Sequence, residues 1–207
     1  MKVEVISATP YPLDVISMAA GVCYGKPYVS HNRARHCFKA GHLSVFEHAS
    51  ITFKIEGISR SCMAQLTRHR HISPCVESQR YCRYDFEQPD WYIMPEAFEA
   101  SDFVGDFTLK SWYQTEMEKD AKAYLKALES GVKPEDARYL LPEATKTNMV
   151  VTMNCREFFH ILDMRWDKAA QWEIRNLAEA MFGAAHERSE QWASTMEMYL
   201  DGKNDER

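Results

Sequence analysis

The chain has no internal repeat, no low-complexity stretch and no Gly/Ser/Pro-rich linker, and its 207 residues include only 8 glycines and 8 prolines. That argues against a chain of separate modules. It predicts one domain over residues 1–200, large enough to bury its own core, followed by a polar, frayed tail at 201–207. No apolar run approaches the length that spans a bilayer, and the opening MKVEVISATPYPLD lacks a signal-peptide pattern. The expectation is a soluble, cytoplasmic protein with no membrane partner. Six cysteines (Cys23, Cys37, Cys62, Cys75, Cys82, Cys155) contain no CxxC pair, which suits reduced thiols better than a disulfide framework. No HExxH occurs, and no GxGxxG, so a Rossmann-type dinucleotide cradle is excluded. The formal net charge of −5 argues against a general nucleic-acid binder, which needs excess cations to neutralise phosphates.

Against that acidic background stands RHRHISPCVESQRY, Arg68 to Tyr81. Arg68, His69, Arg70 and His71 crowd together, then Ser73, Ser78 and Arg80 follow. Like charges repel and long side chains lose entropy when ordered, so the crowding points to an anionic ligand, a small one bearing phosphate.

Around this segment the periodicities predict helices with few strands. Val3, Val5 and Ile6 read as a short strand, Leu13–Cys23 and Ser30–Ala40 as helices, and Ile51, Phe53 and Ile55 as the inner face of a strand ending at Gly57. Ser59 reads as the N-cap of a helix whose last turn carries Arg68 to Arg70, and Pro74 as the start of an irregular loop. An apolar stripe from Leu109 to Leu128 reads as a long helix closed by Gly131. Residues 145–153 read as a strand, then 156–166 and 168–199 as two helices. Without regular β-α alternation, the fold class is α+β, a small sheet covered by long helices.

The order Arg68-His69-Arg70, seven residues, then Ser78-x-Arg80-Tyr81 resembles the signature of the flavin-dependent thymidylate synthases, the ThyX family. GHLSVFEH (Gly41 to His48) lies upstream, before ITFKIEGISR; ARYLLP (Ala137 to Pro142), NCREFFHILDMR (Asn154 to Arg165) and AQWEIR (Ala170 to Arg175) follow in family order. Ordered blocks over almost the whole chain are far harder to obtain by accident than one motif.

The resemblance implies a largely antiparallel sheet and a homotetramer with active sites between subunits. It implies conversion of dUMP and 5,10-methylenetetrahydrofolate to dTMP and tetrahydrofolate, with NADPH reducing FAD first. By resemblance, Ser44, Glu47, Arg68, His69, Arg70, Asn154, Arg156 and His160 serve FAD. Gln65, Arg68, Ser78, Gln79, Arg80, Arg138 and Arg165 serve dUMP, with Ser78 and Arg80 at its phosphate and Arg165 at the pyrimidine, where a cation stabilises developing negative charge. Cys75 and Val76 depart from the polar residues common in the family at these positions.

Taken singly, these residues have plainer readings. Arg68 to Arg70 would suit a solvated helix end, Arg138 a salt bridge to Glu135 or Asp136, and Ser44 a helix cap. Two other functions compete. A metal site would use His69 and His71 with Cys62, Cys75 or Cys82, but flanking arginines repel a dication. An RNA-binding surface would use the RHRH cations with Tyr81, Tyr84 and Phe86 as stacking groups, but no second basic patch supports it. Neither a bound metal nor a nucleic-acid partner is expected.

Overall fold

The computed structural model describes residues 1–26, 28–88, 90–99 and 102–205. Its main sheet has the order β1-β2-β6-β3, formed by β1 (Lys2–Ala8), β2 (Ser50–Ser59), β6 (Lys146–Asn154) and β3 (Ile72–Val76). β1 and β2 pair antiparallel, with Val3 opposite Ile55 and Val5 opposite Phe53 and an irregularity between Val5 and Ser7. Helices accompany the sheet, and the α+β expectation is met. Ile51, Phe53 and Ile55 are buried along β2, as are Thr147, Met149, Val151 and Met153 along β6, the period-two pattern of strands with one face in a core.

The chain divides into two compact units: residues Met1–Glu56, Gln65–Cys75 and Met149–Arg207 form the first, and Gly57–Ala64 with Val76–Asn148 the second. The first holds α1 (Pro12–Val22), α2 (His31–Lys39), a 3-10 segment at Leu43–His48, α6 (Cys155–Arg165), α7 (Trp172–His186) and α8 (Glu190–Asp205). Its core contains Leu13, Ile16, Phe46, Phe158, Phe159 and Trp192, whose indole Nε1–H donates to the Thr9 carbonyl at 2.9 Å. The second holds the two-residue strands β4 (Phe103–Val104) and β5 (Phe107–Thr108), the long α4 (Leu109–Glu129) and the short α5 (Pro134–Ala137). Met117 and Ala121 of α4 meet Trp91, with Phe86, Tyr92 and Tyr113 packed around them. α3 (Arg60–Leu66) carries residues of both units.

Four local expectations change. Gly57 does not end β2; its φ of 72° gives a conformation glycine adopts without Cβ strain, and the strand continues to Ser59. α3 stops at Leu66, so Arg68 to Arg70 follow the helix in a turn instead of occupying its last turn. Ser73 and Pro74 lie in β3, and the irregular loop begins only after Val76; as an edge strand, β3 tolerates the missing proline N–H. The last predicted helix is two, because the chain breaks at 187–189 and Ser189 restarts it by accepting the Trp192 N–H at 3.3 Å.

The helix α8 also runs through Asp205, where a frayed tail was expected from 201. Gly202 lets it approach α2, since a Cβ there would lie 2.3 Å from the Phe38 ring, and Lys203 reaches Asp163 at 3.0 Å. Residues 206 and 207 of that expected tail lie outside the described residues.

Candidate active site

α6 organises the first unit's site. Asn154 caps it, its side chain accepting the Glu157 N–H at 2.9 Å. Phe158, Phe159, Ile161 and Leu162 point into the core, which leaves Arg156, His160, Asp163 and Met164 on the opposite, exposed face. One helix face therefore collects the polar residues that the sequence marks.

Two cavities share that face. The first, of about 590 Å³, is lined by Glu47, His71, Asn154, Arg156, Glu157 and His160, among others that include Lys39 and Lys203. The second, of about 600 Å³, is lined by Gln65, Arg68, His69, Arg70, His71, Glu157, His160, Met164 and Arg165. His71, Glu157 and His160 belong to both. Each volume suits a small-molecule site.

Within the RHR trio, His69 is buried at 7% exposure while Arg68 and Arg70 are exposed. The adjacent positions thus face different ways, and only the imidazole is taken inside. Arg165 Nε–H donates to His69 Nε2 at 3.1 Å, and Arg165 Nη2 donates to the Gln65 carbonyl at 3.4 Å. His69 Nδ1 lies 3.4 Å from Glu157 Oε1, and the His160 ring crosses His69 edge-on at 5.5 Å between centroids. Burial, helped by the Arg165 charge and then by His160, pushes His69 down to about 4. The neutral ring is accordingly favoured near pH 7, with its Nδ1 facing the Glu157 carboxylate across 3.4 Å. A neutral ring that accepts at Nε2 carries its proton at Nδ1.

Arg156 pairs with Glu47 on the 3-10 segment. Ser44 is exposed on the same segment but lines neither cavity.

The second unit gathers the other predicted residues. Arg80 Nη2 is 3.1 Å from Glu135 Oε2, and its guanidinium lies 5.5 Å from the Tyr81 ring centroid. Arg138 Nε donates to the Glu135 backbone carbonyl at 3.0 Å, so the salt bridge considered for Arg138 belongs to Arg80 instead. Ser78 Oγ accepts the Arg80 N–H at 3.3 Å. Arg138 and Gln79 line a third cavity of about 410 Å³ together with Arg60, whose Nη2 donates to the Glu77 carbonyl at 2.9 Å. Arg80 and Arg138 therefore converge on one residue, Glu135.

Sequence reasoning passed over Glu157 and Arg60, and gave His71 no place beside the FAD residues. Glu157 stands three residues after an N-cap Asn, where a glutamate is ordinarily a capping partner, and nothing local reveals that it touches His69. His71 is visible in the RHRH run, but its place at both cavities is not. Among the described residues no helix is long and apolar enough to cross a membrane, and no three His, Cys, Asp or Glu side chains are grouped so as to hold a metal ion.

The fold and site define a helix-rich α+β protein with arginine- and histidine-lined cavities. Residues 4–189 match the family model of the thymidylate synthase complementing proteins, and the chain belongs to that family. It is similar to the flavin-dependent thymidylate synthase of Haloarcula marismortui, 35% identical over 89% of this chain and 90% of that protein. It is likewise similar to that of Geobacter sulfurreducens, at 36% identity over 87% of this chain and 80% of the relative. The fold resembles a crystal structure of ThyX from Helicobacter pylori complexed with FAD and dUMP, with a TM-score of 0.69 at 24% identity, covering 89% of this chain and 93% of that one.

Proposed function

We propose that this chain is a flavin-dependent thymidylate synthase, which methylates dUMP reductively to dTMP with 5,10-methylenetetrahydrofolate as carbon donor and NADPH as reductant of FAD. The observation that carries the reading is the joining of Arg165 to the buried His69 of the RHR motif, in a cavity that shares a wall with the one lined by Asn154 and Arg156. Close relatives over most of the chain bear this activity in their names.

The donor set suits FAD, a molecule with flat rings and a pyrophosphate. The first cavity combines Arg156, Lys39 and Lys203 with the aromatic Phe38 and Phe159, and the second adds Arg68 and Arg70. FAD would be held by Arg68, His69, Arg70, Asn154, Arg156, His160, Glu47 and Ser44, and when bound it supplies the hydride chemistry. Ser78, Gln79, Arg80 and Arg138 would grip dUMP, with the phosphate taken by charge-assisted hydrogen bonds that planar guanidinium groups make well. A phosphate at Arg80 would share the guanidinium's five N–H donors with the Glu135 carboxylate or displace it. Gln65 would border the nucleotide and Arg68 touch both ligands. Arg165 would face the pyrimidine and stabilise negative charge that develops there; its bond to His69 holds the guanidinium in one orientation before substrate arrives.

The same reading makes the two units one catalytic domain and the working enzyme a cytoplasmic homotetramer with active sites between subunits, without nucleic-acid or membrane partners. Purified protein should be yellow, bleach with NADPH under anaerobic conditions, and form dTMP when dUMP and methylenetetrahydrofolate are added. Absence of dTMP from flavin-loaded protein would overturn the assignment.

A further inference from the structure

The buried carboxylate of Glu157 has no part in the roles assigned above. It is 7% exposed, in a wall common to both cavities, and its Oε1 lies 3.4 Å from Nδ1 of a histidine that is equally buried. A carboxylate is costly to bury without a partner. The N-cap bond at this position is made by the Glu157 backbone N–H to Asn154, so the cap does not occupy the carboxylate.

We propose that Glu157 is a positioning residue for the pyrimidine-facing arginine: its carboxylate keeps the His69 proton on Nδ1, so that Nε2 stays an acceptor for Arg165 and the guanidinium is held toward the second cavity. The inference rests on the thymidylate synthase reading for the role of Arg165, though not for the His69 tautomer.

The chemistry is one of donor against donor. Imidazole has two neutral tautomers of similar energy, and its surroundings choose between them. With the proton on Nδ1, the ring donates toward Glu157 and accepts from Arg165. With the proton on Nε2, an N–H would face the Arg165 Nε–H, and that 3.1 Å contact could not persist. Of the groups touching His69, Glu157 presents the acceptor on the Nδ1 side, while Arg165 presents a donor on the other. Burial disfavours a third solution in which both nitrogens are protonated; His69 is pushed down to about 4. The carboxylate therefore acts through His69 and two bonds away on Arg165, without itself contacting the nucleotide.

The test uses the full chain loaded with FAD. Heteronuclear NMR of histidine-labelled protein, with the His69 signal identified by its loss in His69→Gln, should show the Nδ1–H tautomer in the wild type. Glu157→Gln, whose amide oxygen still accepts, should keep that tautomer and stay within about threefold of wild-type kcat/KM. Glu157→Ala should shift the ring toward Nε2–H and lower kcat/KM by roughly tenfold or more, the scale of one lost charge-assisted hydrogen bond, while FAD content and melting temperature change little. An Nε2–H tautomer in the wild type would overturn the proposal, and that measurement needs no variant to fold. Retention of Nδ1–H and of full activity in Glu157→Ala would also overturn it, as would Glu157→Gln failing as badly as Glu157→Ala. Wild-type protein that makes no dTMP would defeat the functional reading instead, leaving the tautomer result to stand or fall alone.

Discussion

Arg165 of the first unit and Arg80 of the second are held differently. In the first, Arg165 is half-buried, and its guanidinium donates to an enclosed imidazole and a backbone carbonyl, neither of which can be displaced by salt or by rotation of an exposed chain. In the second, Arg80 pairs with Glu135 at the surface, each side chain between two-fifths and one-half exposed. Exposed ion pairs contribute little to stability and exchange readily. The buried arrangement is a preorganised cation, whose value lies in needing no rearrangement when charge develops. On the proposed reading, the exposed one is an anion grip whose guanidinium pairs with Glu135 when no phosphate is bound. A positioned electrostatic group and an exchangeable anion grip call for these opposite environments.

The sharpest way to break the comparison is Arg165→Ala. Loss of a preorganised charge next to the reacting ring should lower kcat by about 100-fold or more. Bound FAD and the melting temperature should remain near wild type, measured by absorbance and calorimetry. A kcat within threefold of wild type would remove Arg165 from the chemistry.

Arg80→Ala and Arg138→Ala should act on binding. Each removes a charge-assisted hydrogen bond to phosphate worth about 1.5–3 kcal/mol, hence roughly tenfold or more in dUMP affinity. Titration with deoxyuridine supplies the control, because that ligand has no phosphate and its affinity should not move. Equal losses for nucleoside and nucleotide would mean that the second unit grips something other than phosphate.

The contrast also shows what sequence can and cannot reveal. The ladder of β2 was legible because Ile51, Phe53 and Ile55 alternate with polar neighbours, and α6 because Phe158, Phe159 and Leu162 recur at helical spacing. The break between α7 and α8 was hidden, since the apolar pattern continues across 187–189 and only Ser189 signals a restart. At the candidate site, the crowded RHRH run marked His69 and the family resemblance marked Arg165, but their contact joins positions 96 apart in the chain. Long-range partners of this kind leave no periodic trace, so Glu157 looked like an ordinary first-turn carboxylate.

A third prediction concerns pH. Folded His69 titrates near 4 against an ordinary 6.5, because it is buried beside Arg165 and His160. Between those values the unfolded chain binds a proton that the folded chain does not, so stability should be full above about pH 6.5 and fall as pH drops toward 4. The loss should be on the order of 1–3 kcal/mol, measured by urea unfolding at a series of pH values. His69→Gln should flatten this part of the profile. An unchanged slope in the variant would place the titration on another group.

The smallest expected effect belongs to Cys75, which separates two ways of activating a uracil ring. A thiolate that adds to the ring needs an accessible, reactive cysteine. Cys37, Cys62 and Cys155 are buried, and burial pushes the thiols of Cys37 and Cys155 up, away from the thiolate. Cys75 is exposed on the edge strand β3, three residues before Ser78, which makes it the attractive nucleophile by position. The proposed reaction instead draws its hydride chemistry from reduced flavin and its electrostatic stabilisation from Arg165, leaving nothing for a thiol to do. Cys75→Ala should therefore retain kcat within about twofold, since surface substitutions away from a chemical role usually perturb little. Mass spectrometry after incubation with 5-fluoro-dUMP should find no adduct on Cys75. A stable adduct there, together with an inactive Cys75→Ala that still binds FAD and dUMP, would transfer the activation step from the positioned arginine of the first unit to a covalent bond.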